Sequence, residues 1–437
     1  MRPFKSKWYA NCYFVKLFSK RSDSYFILLK GVRRLKLEKF CMEIILEKRL
    51  SYIHQPSADF TNSINWNEKR LFQSFLMGGF ECSTHRRRGG KRLDLIAATH
   101  HDQFALADYK RMRASGMKTA RDGVRWHLIE RTPFRYDFSS LQNQIKAARK
   151  TRMQIIWDLF HYGYPDDLDI FSAEFVDRFA HFSAATVKFL LNETDGTLFI
   201  CPVNEISFFS WMAGQVGGFY PFARRRGAEL KRQLVRTTIG AIDAIRAVSA
   251  KVRFIQTDPA IHVTTENPQA VRHARKYRLA QFEAFDMLCG KREPELGGNP
   301  EYLDIIGLNY YFHNQWFYPN RRKIYRGHRL YRPFHEILSE FYERYRRPLL
   351  IAETGIEDEA RPRWFRYICE QTRIAQSNGV SVEGICLYPI VNHPGWDDER
   401  HCQNGLWCYA NENGEREIYQ PLADEIACQM KSEKVKR

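Results

Sequence analysis

Two short strings hold the residues best suited to chemistry: Cys201-Pro202-Val203-Asn204-Glu205 and Leu350-Ile351-Ala352-Glu353-Thr354-Gly355. In each, an apolar run of strand type stops abruptly on a carboxylate. A buried, unpaired carboxylate is costly, so an acid at a strand end faces a cleft more readily than a core. Two such acids on different strands of one sheet meet the requirement of glycoside hydrolysis, an acid for the leaving oxygen and a carboxylate for the anomeric carbon. The plainer alternative is that each glutamate opens a loop and pairs with a nearby arginine.

The elements that must position these acids are readable from residue 72 onward. Strand-like apolar runs occur at 72–80, 119–126, 153–161, 197–205, 252–258, 303–311, 348–353 and 382–390. Helical spacing fills the intervals. It covers 100–115, then 139–150 behind a Ser139/Ser140 cap, and 172–191 behind Ser172 with Phe175, Phe179 and Phe182 on one face. A fourth segment, 363–378, is closed by Gly379. Eight strands alternating with helices predict the α/β class and a (β/α)8 TIM barrel over residues 71–430. A doubly wound open sheet is the runner-up. It wants a glycine-rich phosphate turn after an early strand, and Gly78-Gly79 runs instead into Phe80-Glu81.

In a barrel of this kind the strand C-termini form the active face. That face is expected to carry Glu81, Arg121, His161, Asn204, Glu205, Asp258, Asn309, Tyr311, Glu353 and Asn392, with Trp157, Trp396, Trp407 and Tyr388 nearby. Polar groups interleaved with Trp and Tyr suit a sugar, whose hydroxyls need hydrogen bonds and whose C–H face packs on a ring. Glu81 has two readings, a third carboxylate in the cleft or a salt bridge to one of Arg86, Arg87 or Arg88. No zinc-ligand spacing is present, His100-His101 reads as a helix start, and neither metal nor cofactor is expected.

These strings resemble glycoside hydrolase family 1, the β-glucosidase-like barrels, over roughly residues 72–425. Phe75-Leu76-Met77-Gly78 is similar to the family's opening strand, and Leu159-Phe160-His161-Tyr162 to its Leu-x-His-Trp. Val203-Asn204-Glu205 resembles the acid/base motif, and Ile305-Ile306-Gly307-Leu308-Asn309-Tyr310-Tyr311 the Phe-Ile-Gly-Ile-Asn-Tyr-Tyr string. Ile351-Ala352-Glu353-Thr354-Gly355 resembles the nucleophile motif, and Asn392-His393-Pro394-Gly395-Trp396 the Asp-Asn-Phe-Glu-Trp segment. The resemblance implies Glu353 as nucleophile and Glu205 as acid/base, with Arg121 and Tyr311 orienting the nucleophile. It further implies His161, Asn204, Asn309 and Trp396 as substrate contacts, with Glu81 as an added one. The family's carboxylates sit about 5–5.5 Å apart, the spacing of a retaining mechanism. Departures are as informative. Ile206 replaces the proline after the acid/base, Tyr162 replaces a tryptophan, His85 falls at the first-strand glutamine, and Gly395 falls at the glutamate that grips the outer hydroxyls. The expectation is a divergent member or sister family whose specificity is not that of an ordinary β-glucosidase.

Composition limits the alternatives. The net charge of +18 is concentrated at the start, where residues 1–70 hold 15 Lys/Arg against 6 Asp/Glu; they are read as a basic N-terminal extension. Further clusters are Arg86-Arg87-Arg88, Arg224-Arg225-Arg226 and Arg321-Arg322-Lys323. They come with no basic helix or aromatic RNA-binding signature, so contact with an anionic polymer or surface is favoured over specific nucleic-acid binding. Ten scattered cysteines and no membrane-length apolar run suggest a cytoplasmic protein with reduced thiols. The leading reading is a β-glycosidase acting on a carbohydrate substrate. A transglycosylase using the same carboxylates and a non-catalytic carbohydrate-binding barrel are the competitors.

Overall fold

A computed structural model describes residues 71–194, 196–396 and 400–431. The expected extension over residues 1–70 lies outside the described residues.

Eight parallel strands close a ring in the order β1-β10-β9-β7-β5-β4-β3-β2, and β2 returns to β1. They are β1 (Leu76–Gly79), β2 (Thr119–Gly123), β3 (Gln154–Phe160), β4 (Leu198–Val203), β5 (Val252–Pro259), β7 (Ile305–Asn309), β9 (Leu349–Thr354) and β10 (Val382–Leu387). Each falls inside, or within one residue of, an apolar run read from the sequence. Two further strands, β6 (His262–Thr264) and β8 (Gln315–Phe317), pair with each other outside the ring. They were not anticipated.

Strand alternation divides the apolar residues between two cores. Met77, Ile156, Phe199, Ile255, Ile305 and Leu350 form one cluster that fills the barrel. Their neighbours Leu76, Ile155, Leu198, Phe254, Ile306 and Ile351 join the larger layer shared with the helices. Trp157 and Trp407, expected near the cleft, are buried within that larger layer.

Helix ends follow local chemistry. Helix Ala173–Glu193 starts as expected, the Ser172 hydroxyl accepting the Phe175 N–H at 3.2 Å. The 139–150 segment differs. The Asp137 carboxylate accepts the Ser139 N–H at 2.9 Å, a 3-10 turn spans Phe138–Leu141, and the α-helix runs Gln142–Thr151. The acid two residues upstream takes the capping role, leaving Ser139 and Ser140 inside the turn. Helix Arg361–Ser377 begins two residues earlier than its pattern, with Pro362 in its first turn, and Gly379 follows it at φ +80°.

Candidate active site

Glu353 is the fifth residue of β9 and is 5 % exposed. Arg121, from β2, donates through Nη1 to Glu353 Oε1 at 2.7 Å, and the Tyr311 hydroxyl donates to Oε2 at 2.9 Å. The backbone is pinned as well, the Tyr310 N–H donating to the Glu353 carbonyl at 2.9 Å. Arg121 has no exposure of its own. Asp158, in β3, holds it in a two-point ion pair, Nε to Oδ1 at 3.0 Å and Nη2 to Oδ2 at 2.7 Å. An acid inside the apolar run Gln154–Phe160 is thus explained by the cation it fixes.

Glu205 follows β4, is 7 % exposed, and has left-handed backbone angles, φ 50° and ψ 61°. Tyr162, the residue beyond His161 at the end of β3, is also left-handed at φ 70°. Such conformations in bulky residues cost on the order of 1–3 kcal/mol and collect at functional sites. Here they bring the two side chains together, the Tyr162 hydroxyl donating to Glu205 Oε2. Asn309 Nδ2 donates to Oε1 at 2.9 Å. Both donors are neutral, and no arginine or lysine pairs with Glu205 among the described residues.

That difference separates the two acids electrostatically. Burial pushes Glu205 up to about 8, the Glu353 charge adds to the shift, and the Tyr162 and Asn309 bonds only partly oppose it. Glu353 is also pushed up by burial, but the Arg121 cation works directly against the shift. The cation and phenol on Glu353 favour its ionised form, whereas Glu205 has only neutral donors to offset its burial.

Asn204 joins the two sides. Its Oδ1 accepts from Arg121 Nη2 at 2.7 Å and from the Thr257 hydroxyl at 2.8 Å. Its amide nitrogen therefore faces His161 Nε2 at 3.0 Å and the Tyr162 oxygen at 3.2 Å. His161 Nε2 is then the acceptor, and Nδ1 donates to Asp158 Oδ2 at 3.0 Å. Glu81 is 4 % exposed and forms no ion pair with Arg86, Arg87 or Arg88. Oε1 accepts the Ser83 N–H at 3.0 Å and lies 3.7 Å from His161 Nε2, a turn that carries the carboxylate into the cleft floor. Among the described residues, Oε2 has no donor.

Trp396 lies over the acid side, its ring centroid 5.9 Å from Tyr162, 6.0 Å from Phe208 and 5.7 Å from His85. Among the described residues, its Nε1 and the Asn309 Oδ1 are buried without a partner, and so are both ring nitrogens of His85. Burial, with His161 and two arginines nearby, drives His85 down to about 3, so it is a neutral ring stacked 3.8 Å from Phe219. Asn392 and Asp258 have other work. Asn392 Oδ1 accepts the Gly405 N–H at 2.7 Å, and Asp258 Oδ1 accepts the Ser207 N–H at 3.0 Å behind the acid.

Cys82 Sγ, Asp158 Oδ2 and His161 Nδ1 lie within 4.8 Å of one another. Burial and the Asp158 charge push the Cys82 thiol well above its usual value, and Arg121 occupies both Asp158 oxygens. These three groups suit a hydrogen-bonded support beneath the site better than a cation.

The sequence reading missed Asp158 and the acid-side role of Tyr162. A lone acid within an apolar strand was the available signal for the first. The replacement of tryptophan by a residue with a hydroxyl was the signal for the second.

The described fold superposes on solved barrels, among them β-glucosidases. A family 1 β-glucosidase from Thermotoga maritima matches with a TM-score of 0.67 at 15% sequence identity, over 83% of this chain and 98% of that one. A β-glucosidase from the same organism in complex with glucoimidazole gives 0.67 at 16%, over 84% and 100%. Another, in complex with deoxynojirimycin, gives 0.65 at 16%, over 82% and 98%. No protein-family model and no curated protein sequence matches the chain. At this identity the likeness is one of fold.

Proposed function

We propose that the chain is a retaining β-glycoside hydrolase working by double displacement. The observation that carries this reading is the unequal environment of two buried strand-end glutamates, one clamped by a cation and a phenol, the other by neutral donors alone. Glu353, held ionised and aimed by Arg121 and Tyr311, attacks the anomeric carbon while Glu205 gives its proton to the leaving oxygen. The bond from the anomeric carbon to that oxygen breaks as the glycosyl ester forms. Glu205, now a carboxylate, takes a proton from water, and the resulting attack releases the sugar and regenerates Glu353.

Three groups are placed to read the sugar. Among the described residues, Asn309 Oδ1 and Trp396 Nε1 are buried without partners, and Glu81 Oε2 has no donor. Sugar hydroxyls supply what each lacks. Gly395 brings no carboxylate to the outer hydroxyls, which favours a glycone other than plain glucose.

A panel of aryl β-glycosides (gluco, galacto, fuco, manno, xylo, glucurono) tests the reading. Turnover of at least one member is expected, with retained anomeric configuration by NMR. Glu353→Ala abolishes it. Glu205→Ala slows glycosides with poor leaving groups by about 10²–10⁴-fold, with recovery in azide as the glycosyl azide. Turnover unaffected by Glu353→Ala would overturn the assignment.

A further inference from the structure

The connections after β5 and β7 carry a module that ring closure does not use. β6 and β8 pair in parallel, and helix Val271–Leu279 packs on β6, its Tyr277 ring 6.1 Å from Trp316 of β8. Lys and Arg number four in residues 262–279 and six in 315–332, and Glu266 is the only acid in either stretch. Glu266 already serves Arg322 at 3.0 Å, His328 at 3.7 Å and Arg329 at 3.8 Å. Arg272, Arg275, Lys276, Arg321, Lys323 and Arg326 are exposed, and none has a carboxylate partner among the described residues. Clustered cations repel one another across a screening length of about 8–10 Å, and an anionic ligand relieves that repulsion.

The module adjoins the cleft on the side of the proton donor. The Arg321 guanidinium lies 5.1 Å from the Trp211 ring centre, in the segment that follows Glu205. Trp211 packs 6.1 Å from Phe208, which lies 5.8 Å from Tyr162 and so borders the hydroxyl that holds Glu205. At the other end His313 stacks 5.6 Å from Tyr311, the phenol on Glu353. Exposed rings accompany the cations, with Tyr325 63% and Tyr277 36% exposed. Cations for charge and rings for sugar faces meet in one basic, aromatic wall that reaches the surroundings of Glu205 through Arg321, Trp211 and Phe208.

We propose that this wall is a leaving-group-side subsite for a negatively charged glycan chain, one whose sugars carry carboxylates or sulfate esters. The proposal rests on the glycosidase reading for its orientation, but not for its detection. The competing occupant of a basic, aromatic surface is nucleic acid. Its continuity with a cleft built to hold sugar hydroxyls favours the glycan.

The test is calorimetric titration of the full chain at 50 and 200 mM salt. The ligands are an oligogalacturonate, a sulfated heparin-type oligosaccharide, a neutral cello-oligosaccharide and a single-stranded DNA of matched charge. At least one charged glycan is expected to bind more tightly than the DNA and the neutral oligosaccharide. The oligogalacturonate and heparin arms tell carboxylate from sulfate recognition. Arg321→Gln/Lys323→Gln and Arg272→Gln/Arg275→Gln/Lys276→Gln should each weaken that binding by about tenfold or more. Lys146→Gln/Lys150→Gln, on a different helix, should leave it unchanged. Equal or tighter DNA binding lost in the same variants, equal weakening by the Lys146/Lys150 pair, or unchanged affinity in the wall variants would each overturn the proposal. Charged-glycan binding at the wall with no turnover of any glycoside would sink the glycosidase reading and leave the wall. Aryl-glycoside turnover with no such binding would do the reverse.

Discussion

Glu205 and Glu353 have the same side chain and nearly the same burial, so what divides their proposed roles is the set of atoms within 3 Å. For Glu205 that set includes Tyr162, and its hydroxyl donates to the ionised carboxylate. Removing it destabilises the ionised form and raises the Glu205 pKa above about 8. A general acid must be protonated to act, so the alkaline limb of kcat/KM in Tyr162→Phe moves to higher pH, by about one unit for a bond worth 1.4 kcal/mol. A pH–rate profile for a glycoside with a poor leaving group checks this; a limb that stays in place removes Tyr162 from the acid's environment. The two glutamates were legible as candidates because each ends an apolar run. The Tyr162 contact was not, because it depends on two left-handed residues just beyond different strands, and no one-dimensional pattern records φ.

At the scale of elements, most ring strands were legible because a strand buried on both faces reads as an apolar run, as in β3, β4 and β9. By contrast β2, Thr-Ala-Arg-Asp-Gly, was legible only through its place in the alternation. β6 and β8 were not, for three residues are too few to show a period, and their partners are about fifty residues apart. Another long-range tie joins helix His101–Ala114 to β2 and the C-terminal segment. His101 Nδ1 meets Asp108 at 2.8 Å and Nε2 meets Asp122 at 2.9 Å, and Arg416 donates to Asp108 at 2.7 Å. Burial opposes a charged imidazole here, but the two carboxylates prevail and raise His101 to about 9. A folded pKa above the unfolded value of about 6.5 gives stability that is fully present below pH 6.5 and lost as pH rises through 9. The wild type is expected to lose on the order of 3 kcal/mol of unfolding free energy across that window. His101→Gln, less stable throughout, should show no such slope. Urea denaturation at pH 6, 7.5 and 9 measures both, and parallel curves for the two proteins would exclude the ion-paired histidine.

For the whole molecule, closure of the ring decides what can be removed. Every barrel strand and every register between neighbours is supplied by residues 76–387, and Phe72 already belongs to the cluster filling the barrel. We expect a chain beginning at Leu71 to fold to the same barrel and keep the same kcat on an aryl glycoside. Its formal charge falls from +18 to +9, because residues 1–70 contribute 15 positive and 6 negative side chains. The deletion separates two sources of anion attraction. Long-range steering by net charge weakens and becomes less salt-dependent, whereas binding at the β6–β8 wall keeps its sensitivity to Arg321→Gln/Lys323→Gln. Circular dichroism melting, turnover and glycan titration of the shortened chain check the three expectations together. A lowered melting temperature with lost turnover would make residues 1–70 part of the barrel's own fold. Charged-glycan binding that vanishes with the deletion while turnover persists would move the anion site from the cleft rim to the extension.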